Sequence, residues 1–314
     1  MKKLVAFILA MAMMLGCTAA LAEWPEKPVN ILIPANPGGD TDTTSRALAQ
    51  SLTEILGQPV NVINMVGGAG TIAMIELMSR DADGYSLIYH HVDTVLLNLL
   101  GRMEEPWTDM LDVSAVTGGG ATFCVLVNKD SAWQTWDELV SYTREHPYEV
   151  NFAMEAGGTL HMLILAIESA LDIHFNAVDL GSASDRNTAL LGKQCDVVIA
   201  QYGQVLDYIN NGDFLPLCVL AEERNENFAD LPSSYELGCP VACNWWYYAG
   251  FKKGTDPEIV AKFTQAVEQA VAMEPYTNAL NLYNYKANFL PGEEGVAYMK
   301  KSEDFFRPIT ELLK

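Results

Sequence analysis

Residues 29–39, VNILIPANPGG, join a run of apolar residues to a glycine turn, and residues 40–57 continue as DTDTTSRALAQSLTEILG. The apolar run predicts a short buried strand. The segment from Thr43 to Leu56 predicts a helix that ends at Gly57, because glycine commonly closes a helix in the left-handed conformation. Strand, glycine loop and helix in this order are typical of a parallel sheet with crossover helices.

The same order recurs along the chain. Glycine-rich turns at residues 67–70 and 157–158 each follow a predicted strand and precede a predicted helix, and residues 181–184 precede a further predicted helix. We therefore expect an α/β protein of two lobes, each a doubly wound, mainly parallel sheet flanked by helices. The expected division is lobe 1 at residues 23–116 and 222–314, and lobe 2 at residues 117–221.

Composition limits the function. The chain has 314 residues, of which 50% are hydrophobic, which is enough for the cores of two lobes. Its formal net charge of −21 gives a surface that repels phosphate backbones. Nucleic-acid binding is therefore excluded.

The first 22 residues predict a secretory signal peptide. Lys2 and Lys3 precede an apolar run from Leu4 to Leu15, which is short for a membrane span, and residues 20–22 form a small-x-small cleavage site. A periplasmic or extracytoplasmic protein is expected. The alternative is a lipid anchor at Cys17, because residues 15–17 partly resemble a lipoprotein box.

The cysteines and the motifs give no sign of a metal or a catalytic centre. Five cysteines remain after the signal peptide, and this odd number argues against a full disulfide framework. Either Cys239 and Cys243 pair, or all five are small buried or loop residues. The sequence lacks paired C-x-x-C, H-E-x-x-H, EF-hand and G-x-S-x-G motifs. No metal, cofactor or catalytic residue is therefore expected.

The glycine loops predict an anion site. Each helix start leaves free backbone N–H groups at the positive end of the helix dipole, and glycine lets a ligand approach that backbone closely. If loops of both lobes face one cleft, it binds a small carboxylate without needing arginine. Hydroxyl groups can add donors at Thr41, Thr71, Thr159 and Ser182.

Several side chains near these loops have two interpretations each. Asp40 and Asp42 either cap the first helix or face the cleft. His161 either packs in the core or contacts the ligand, and the same choice holds for His90 and His91. Residues 245–248, WWYY, belong to the core and the lobe interface, or one of them lines the cleft. Arg186 either lies in solvent or meets a carboxylate.

Short motifs in a fixed order also carry a family likeness. They are Trp24-Pro25-Glu26-Lys27-Pro28, Pro37-Gly38-Gly39 with Asp42, Leu56-Gly57-Gln58-Pro59-Val60, Asn64 with Gly67, Gly70 and Ile72, Asp83-Gly84-Tyr85, Gly157-Gly158-Thr159-Leu160-His161, Gly181-Ser182-Ala183, Leu190-Leu191-Gly192 and Gly254-Thr255-Asp256-Pro257-Glu258. Together they resemble the extracytoplasmic solute receptors of tripartite tricarboxylate transporters, the Bug-type binding proteins.

This resemblance implies a Venus-flytrap solute-binding protein, not an enzyme, that hands a small carboxylate to the membrane subunits of a secondary tripartite transporter. The ligand classes are di- or tricarboxylates, aromatic acids and amino acids. The alternative is a ligand sensor that presents the bound solute to a signalling receptor. We expect the protein to act as a monomer.

The resemblance also implies which residues bind the ligand, and the chain departs from the family at three of them. Asp40 and Asp179 add carboxylates, which disfavour a tricarboxylate and favour a ligand that also carries a cation, such as an amino acid. His90 replaces a smaller residue, which indicates a reshaped pocket. The expected ligand-binding residues are Gly38, Gly39, Asp40, Thr41, Asp42, Gly68, Ala69, Gly70, Thr71, His90, Gly158, Thr159, His161, Asp179 and Ser182.

Overall fold

A computed structural model describes residues 24–120 and 123–313 of the chain. The predicted signal peptide and Cys17 lie outside these residues. The strands β1–β11 are, in chain order, Val29–Ile33, Val60–Asn64, Ser86–His91, Leu111–Gly120, Phe123–Asn128, Asn151–Met154, Asn176–Asp179, Val197–Gln201, Phe214–Val219, Trp245–Lys252 and Lys286–Pro291. The helices α1–α11 are Asp40–Leu56, Thr71–Ser79, Leu96–Leu99, Trp107–Met110, Trp136–Glu145, Thr159–Leu171, Ala183–Leu191, Tyr202–Asn210, Pro257–Ala270, Glu274–Asn281 and Gly292–Thr310.

The strands form two sheets. The first has the order β11-β4-β10-β3-β1-β2 and the second the order β7-β6-β8-β5-β9. The first sheet with its helices is called lobe 1, and the second sheet with its helices is called lobe 2. The two-lobe α/β fold is thus confirmed, whereas the residue limits of the lobes remain a prediction.

Each sheet is mixed, where mainly parallel sheets were expected. Strand β1 pairs in parallel with β2 and β3, and β6 with β7 and β8. Strand β10 is antiparallel to β3 and β4, and β5 to β8 and β9. Crossover helices produce the parallel pairs. Strand β4 takes the chain out of the first sheet and β10 brings it back, so these two run in opposite directions.

The predicted first unit forms as expected. Strand β1 is buried at four of its five residues, and α1 follows it directly. Helix α1 ends at Gly57, whose φ of 67° is left-handed and whose N–H donates to the carbonyl of Thr53 at 3.1 Å. The free N-terminal end of α1 therefore points beyond the carboxyl end of β1, at the sheet edge where α/β proteins bind ligands.

Strand β4 was not predicted, because its last three residues are glycines. They are needed where the lobes join. A Cβ at Gly119, with a φ of +153°, would lie 2.0 Å from the carbonyl oxygen of Trp245 on β10. The close approach of β4 and β10 therefore requires glycine at this position.

The five cysteines that follow the signal peptide are all free and buried, so the proposed Cys239–Cys243 pair is not formed. Within the described residues, no helix is long and apolar enough to cross a membrane. The same residues contain no group of three or more His, Cys, Asp or Glu side chains placed to hold a metal ion.

Candidate functional site

Loops of both lobes line one cavity of about 790 Å³. The lobe 1 loops are those before α1 and α2, and the lobe 2 loops are those before α6 and α7. Nine of the residues predicted to bind ligand line this cavity: Gly38, Gly39, Asp40, Thr41, Ala69, Gly70, Gly158, Thr159 and Ser182. The cavity therefore brings together helix starts from both sides, as the anion-site hypothesis requires.

The start of α1 forms one wall. Its N-cap residue, Gly39, supplies no side-chain acceptor, so the N–H groups of the first turn have no side-chain cap. Asp40 is half-buried, and its Oδ2 accepts hydrogen bonds from the hydroxyls of Tyr247 at 2.6 Å and Tyr285 at 3.4 Å. Asp40 thus places a carboxylate, fixed by two tyrosines, beside free amides.

Asp42 stabilises this loop through hydrogen bonds and an ion pair, and it does not line the cavity. It accepts hydrogen bonds from the backbone of Gly38 at 2.9 Å and from the side chain of Asn64 at 2.8 Å, and pairs with Arg46 at 2.8 Å. Burial alone would raise the pKa of Asp42, but these hydrogen bonds outweigh it and lower the pKa below its usual value. Asp42 therefore stays ionised and holds the glycine turn in place.

The loop before α2 rests on a buried histidine. His90 is fully buried, its Nδ1 accepts a hydrogen bond from the N–H of His91 at 2.8 Å, and its Nε2 has no partner among the described residues. A Cβ at Gly70, whose φ is +96°, would lie 2.1 Å from this Nε2. His90 thus supports the loop and does not line the cavity. Gly68 and Thr71 also lie outside the lining, and Thr71 donates to the carbonyl of Gly68 at 2.7 Å.

Asp93 reaches across the cleft from lobe 1 to the start of α6 in lobe 2. Its Oδ1 accepts hydrogen bonds from the backbone N–H of Thr159, at 3.2 Å, and from the Thr159 hydroxyl. Asp93 is 8% exposed. Burial raises its pKa above the usual value, against the opposing effect of the Thr159 hydrogen bonds. A carboxylate of the protein therefore occupies the helix start that the sequence assigned to ligand.

His161 and Asp179 do not line the cavity. His161 is half-buried, and its Nδ1 accepts a hydrogen bond from the N–H of Gly157 at 3.1 Å. Burial lowers the pKa of His161. Asp179 is exposed and accepts from the N–H of Gly181 at 3.1 Å. Both side chains thus shape the loops of lobe 2.

The start of α7 brings a buried cation to the cavity. Ser182 caps the helix by accepting from the N–H of Asp185, and its hydroxyl donates to the carboxylate of the same residue. Arg186 lines the cavity, is 6% exposed, and donates to the carbonyl of Gly181. Its Nε has no partner among the described residues. Burial excludes the interpretation that Arg186 lies in solvent, and the other interpretation, contact with a carboxylate, stays a prediction.

Trp245 is the member of the 245–248 run that lines the cavity. Its ring stacks on His91 with centroids 4.2 Å apart, and its Nε1 has no partner among the described residues. His91 also lines the cavity, and burial lowers its pKa to about 3. This wall is therefore aromatic and uncharged at neutral pH.

Several residues that line the cavity were not predicted from the sequence. They include Asp93, Glu155, Asn187, Gln201, Gln204, Tyr208 and Tyr283. Glu155 directly follows β6, and Asp93 lies two residues after the end of β3, so the position after a predicted strand was the available signal.

A family model described as "Tripartite tricarboxylate transporter family receptor" matches residues 44–290. Protein BugT of Bordetella pertussis is 29% identical over 260 residues, which cover 82% of this chain and 80% of that protein. A Cupriavidus necator protein described as "UPF0065 protein in gbd 5'region" is 25% identical, covering 93% of this chain and 89% of its own length.

Solved structures share the fold. MatC from Rhodopseudomonas palustris, with bound malate, superposes with a TM-score of 0.80 at 22% identity, covering 91% of this chain and 100% of that one. An R. palustris protein with adipate gives a TM-score of 0.83 at 22% identity, covering 92% and 98%.

Proposed function

Since the chain belongs to the receptor family of tripartite tricarboxylate transporters, a family of periplasmic solute-binding proteins and not of enzymes, we propose that it captures a small carboxylate between its lobes and delivers it to the membrane subunits of a secondary transporter. It is exported by the signal peptide at residues 1–22 and acts as a monomer. Lobe 1 comprises residues 23–116 and 222–314, and lobe 2 residues 117–221.

The buried guanidinium of Arg186 is the observation that carries this proposal. A charge withdrawn from water is costly unless an opposite charge meets it. The ion pairs of the described arginines involve Arg46, Arg80, Arg224 and Arg307, so Arg186 lacks a carboxylate within 4.0 Å. A carboxylate ligand in the cavity supplies the missing partner.

The glycine loops provide the remaining donors. Amides at the start of α1 and around Gly70 face the cavity from lobe 1, and Ser182 and Arg186 face it from lobe 2. Ligand bound between them stabilises the closed arrangement of the lobes, since both contribute donors to it. The match to relatives found with malate and adipate supports the carboxylate class. The described residues and the family match offer no support for the signalling alternative.

Calorimetric titration of the purified protein tests capture. The probes are malate, succinate, adipate, citrate, phenylacetate and the twenty L-amino acids. We expect at least one to bind, and to add about 2.7 kcal/mol to the free energy of unfolding at a hundredfold excess over Kd. Absence of binding by every acid contradicts the proposal.

Delivery is tested separately. Proteoliposomes that contain the membrane subunits should take up the labelled ligand only when the binding protein is added. Equal uptake in the absence of the binding protein would contradict the proposal that it delivers the ligand, but not the proposal that it binds the ligand.

A further inference from the structure

An unpartnered carboxylate lies in the same cavity as Arg186. Glu155 directly follows β6, is exposed, and lines the cavity, and its side-chain oxygens have no hydrogen-bond or ion-pair partner among the described residues. Desolvation by the surrounding protein raises the pKa of Glu155, and Asp93 raises it further, while Arg186 and Arg102 act in the opposite direction. Lobe 2 therefore presents to the cavity one carboxylate, Glu155, and one guanidinium, Arg186, neither of which has an ion-pair partner among the described residues.

The Arg186 side chain is independent evidence for a ligand. It is more than nine-tenths buried, its Nε lacks a partner within the described ranges, and it lines the same cavity. Burial lowers the pKa of Arg186, and Glu155 is the acid that opposes this effect most. Both side chains line the same cavity, and no ion pair within 4.0 Å joins them.

The helix start that follows Glu155 along the chain is already occupied by a carboxylate of the protein. The N–H of Thr159, the first residue of α6, donates to Asp93. A second ligand carboxylate brought to this point would lose that donor and meet a like charge. The cavity lining thus offers one buried cation, Arg186, to a ligand carboxylate, and it also contains three acids, namely Asp40, Asp93 and Glu155.

We propose that the ligand is a monocarboxylate that carries a protonated amine, as a neutral amino acid does. Its carboxylate pairs with Arg186 and its amine with Glu155. Asp93 already occupies the helix start at Thr159, where a second ligand carboxylate would otherwise bind. The site therefore discriminates against dicarboxylates. This inference rests on the proposed function and narrows its ligand class.

Matched acids test it in the wild-type protein. For each amino acid that binds, titration is repeated with the 2-hydroxy acid and with the unsubstituted acid of the same carbon skeleton, for example L-leucine, 2-hydroxy-4-methylpentanoate and 4-methylpentanoate. We expect the amino acid to bind at least tenfold more tightly than either partner, and more tightly than malate, succinate, adipate or citrate.

A charge-neutral variant tests the role of Glu155. In Glu155→Gln the preference for the amine should fall below about threefold, while binding of the unsubstituted acid stays the same or strengthens, because an anionic neighbour is lost. Glu145→Gln is the control, since Glu145 is an exposed residue of α5 on the same lobe and changes the net charge equally. The control should keep the wild-type preference.

Two results overturn the inference and leave the proposed function standing. The first is that hydroxy acids or dicarboxylates bind the wild type as tightly as the amino acids do. The second is that Glu155→Gln keeps the full preference for the amine. If none of the acids binds, both the inference and the proposed function are wrong.

Discussion

Asp93 of lobe 1 accepts two hydrogen bonds from Thr159 of lobe 2, one from its backbone N–H and one from its hydroxyl. This contact joins the lobes across the cavity and satisfies the first N–H of α6. It also places a negative charge on the helix start that sequence reasoning reserved for ligand. Asp93 therefore affects both the contact between the lobes and the ligand selectivity of the cavity.

The substitution Asp93→Asn should improve binding of dicarboxylates. The amide oxygen still accepts from Thr159, but the like charge that opposes a second ligand carboxylate is lost. We expect the affinity for malate or succinate to rise about tenfold or more. Calorimetric titration measures the change. Asp109→Asn, at an exposed residue of α4, is the control and should bind as the wild type does. Unchanged dicarboxylate binding in Asp93→Asn would show that Asp93 does not select the ligand.

The substitution Arg186→Met should weaken carboxylate binding without unfolding the protein. Hydrogen bonds to a charged group contribute about 1.5–3 kcal/mol each, so the loss should be roughly 10- to 100-fold in Kd. The ligand-free variant should unfold at the same temperature or higher, because a buried charge without a carboxylate partner is removed.

Arg144→Met serves as the matched variant for Arg186, since Arg144 is exposed on lobe 2 and donates to the carbonyl of Leu171. Thermal unfolding and titration should both stay close to wild type. Wild-type affinity in Arg186→Met would rule out contact between this guanidinium and the ligand.

The substitution Gly70→Ala should lower the free energy of unfolding because two destabilising effects add. The backbone has a φ of +96°, and the new methyl group would meet Nε2 of His90. Left-handed strain costs about 1–2 kcal/mol and overpacking about 1–3 kcal/mol. Gly254→Ala isolates the strain, since its φ is +88° and no atom lies within 4 Å of the added Cβ. Urea unfolding should show the larger loss for Gly70→Ala, with His90→Ala recovering part of it. Equal losses at both glycines would mean that His90 does not support the loop.

His91 should make the protein less stable in mild acid. The folded pKa of about 3 lies far below that of an unfolded histidine, near 6.5. The unfolded state then binds more protons between these values, so the contribution of His91 is complete above pH 6.5 and is lost as the pH falls. At pH 5 the loss is about 2 kcal/mol.

Urea unfolding of the wild type and of His91→Phe, from pH 8 to pH 5, measures this contribution. Phenylalanine can keep the stacking on Trp245, so the stability of the wild type relative to the variant should decline as the pH falls. His174→Phe is the control at an exposed histidine and should follow the wild type. A constant difference between wild type and His91→Phe would mean that folded His91 titrates normally.

The order of strands, glycine loops and helices was sufficient to predict the two-lobe fold and the loops that line the cavity. Local patterns carry this information, since Gly39 and Gly158 directly precede helices and Gly57 marks the end of the first of them. Strand β4 was missed because glycines required by the approach of Trp245 hide its pattern. The mixture of parallel and antiparallel strands depends on the direction in which the chain re-enters each sheet after crossing between the lobes. No local sequence motif indicates this direction.

The charged side chains of the cavity were harder to predict. Asp93 and Thr159 are 66 residues apart and meet only when the lobes pack together. The interpretation of Arg186 stayed open between solvent and a carboxylate partner, because one arginine in a polar first turn does not reveal what covers it. Asp179 was placed at the ligand, but its carboxylate faces Gly181 in an exposed turn.

A crystal structure of the complex with the tightest-binding acid tests the central claim most directly. We predict that the ligand carboxylate lies within hydrogen-bond distance of the Arg186 guanidinium and is enclosed by the glycine loops of both lobes. A ligand seated elsewhere, or one whose carboxylate lies away from Arg186, would contradict the account.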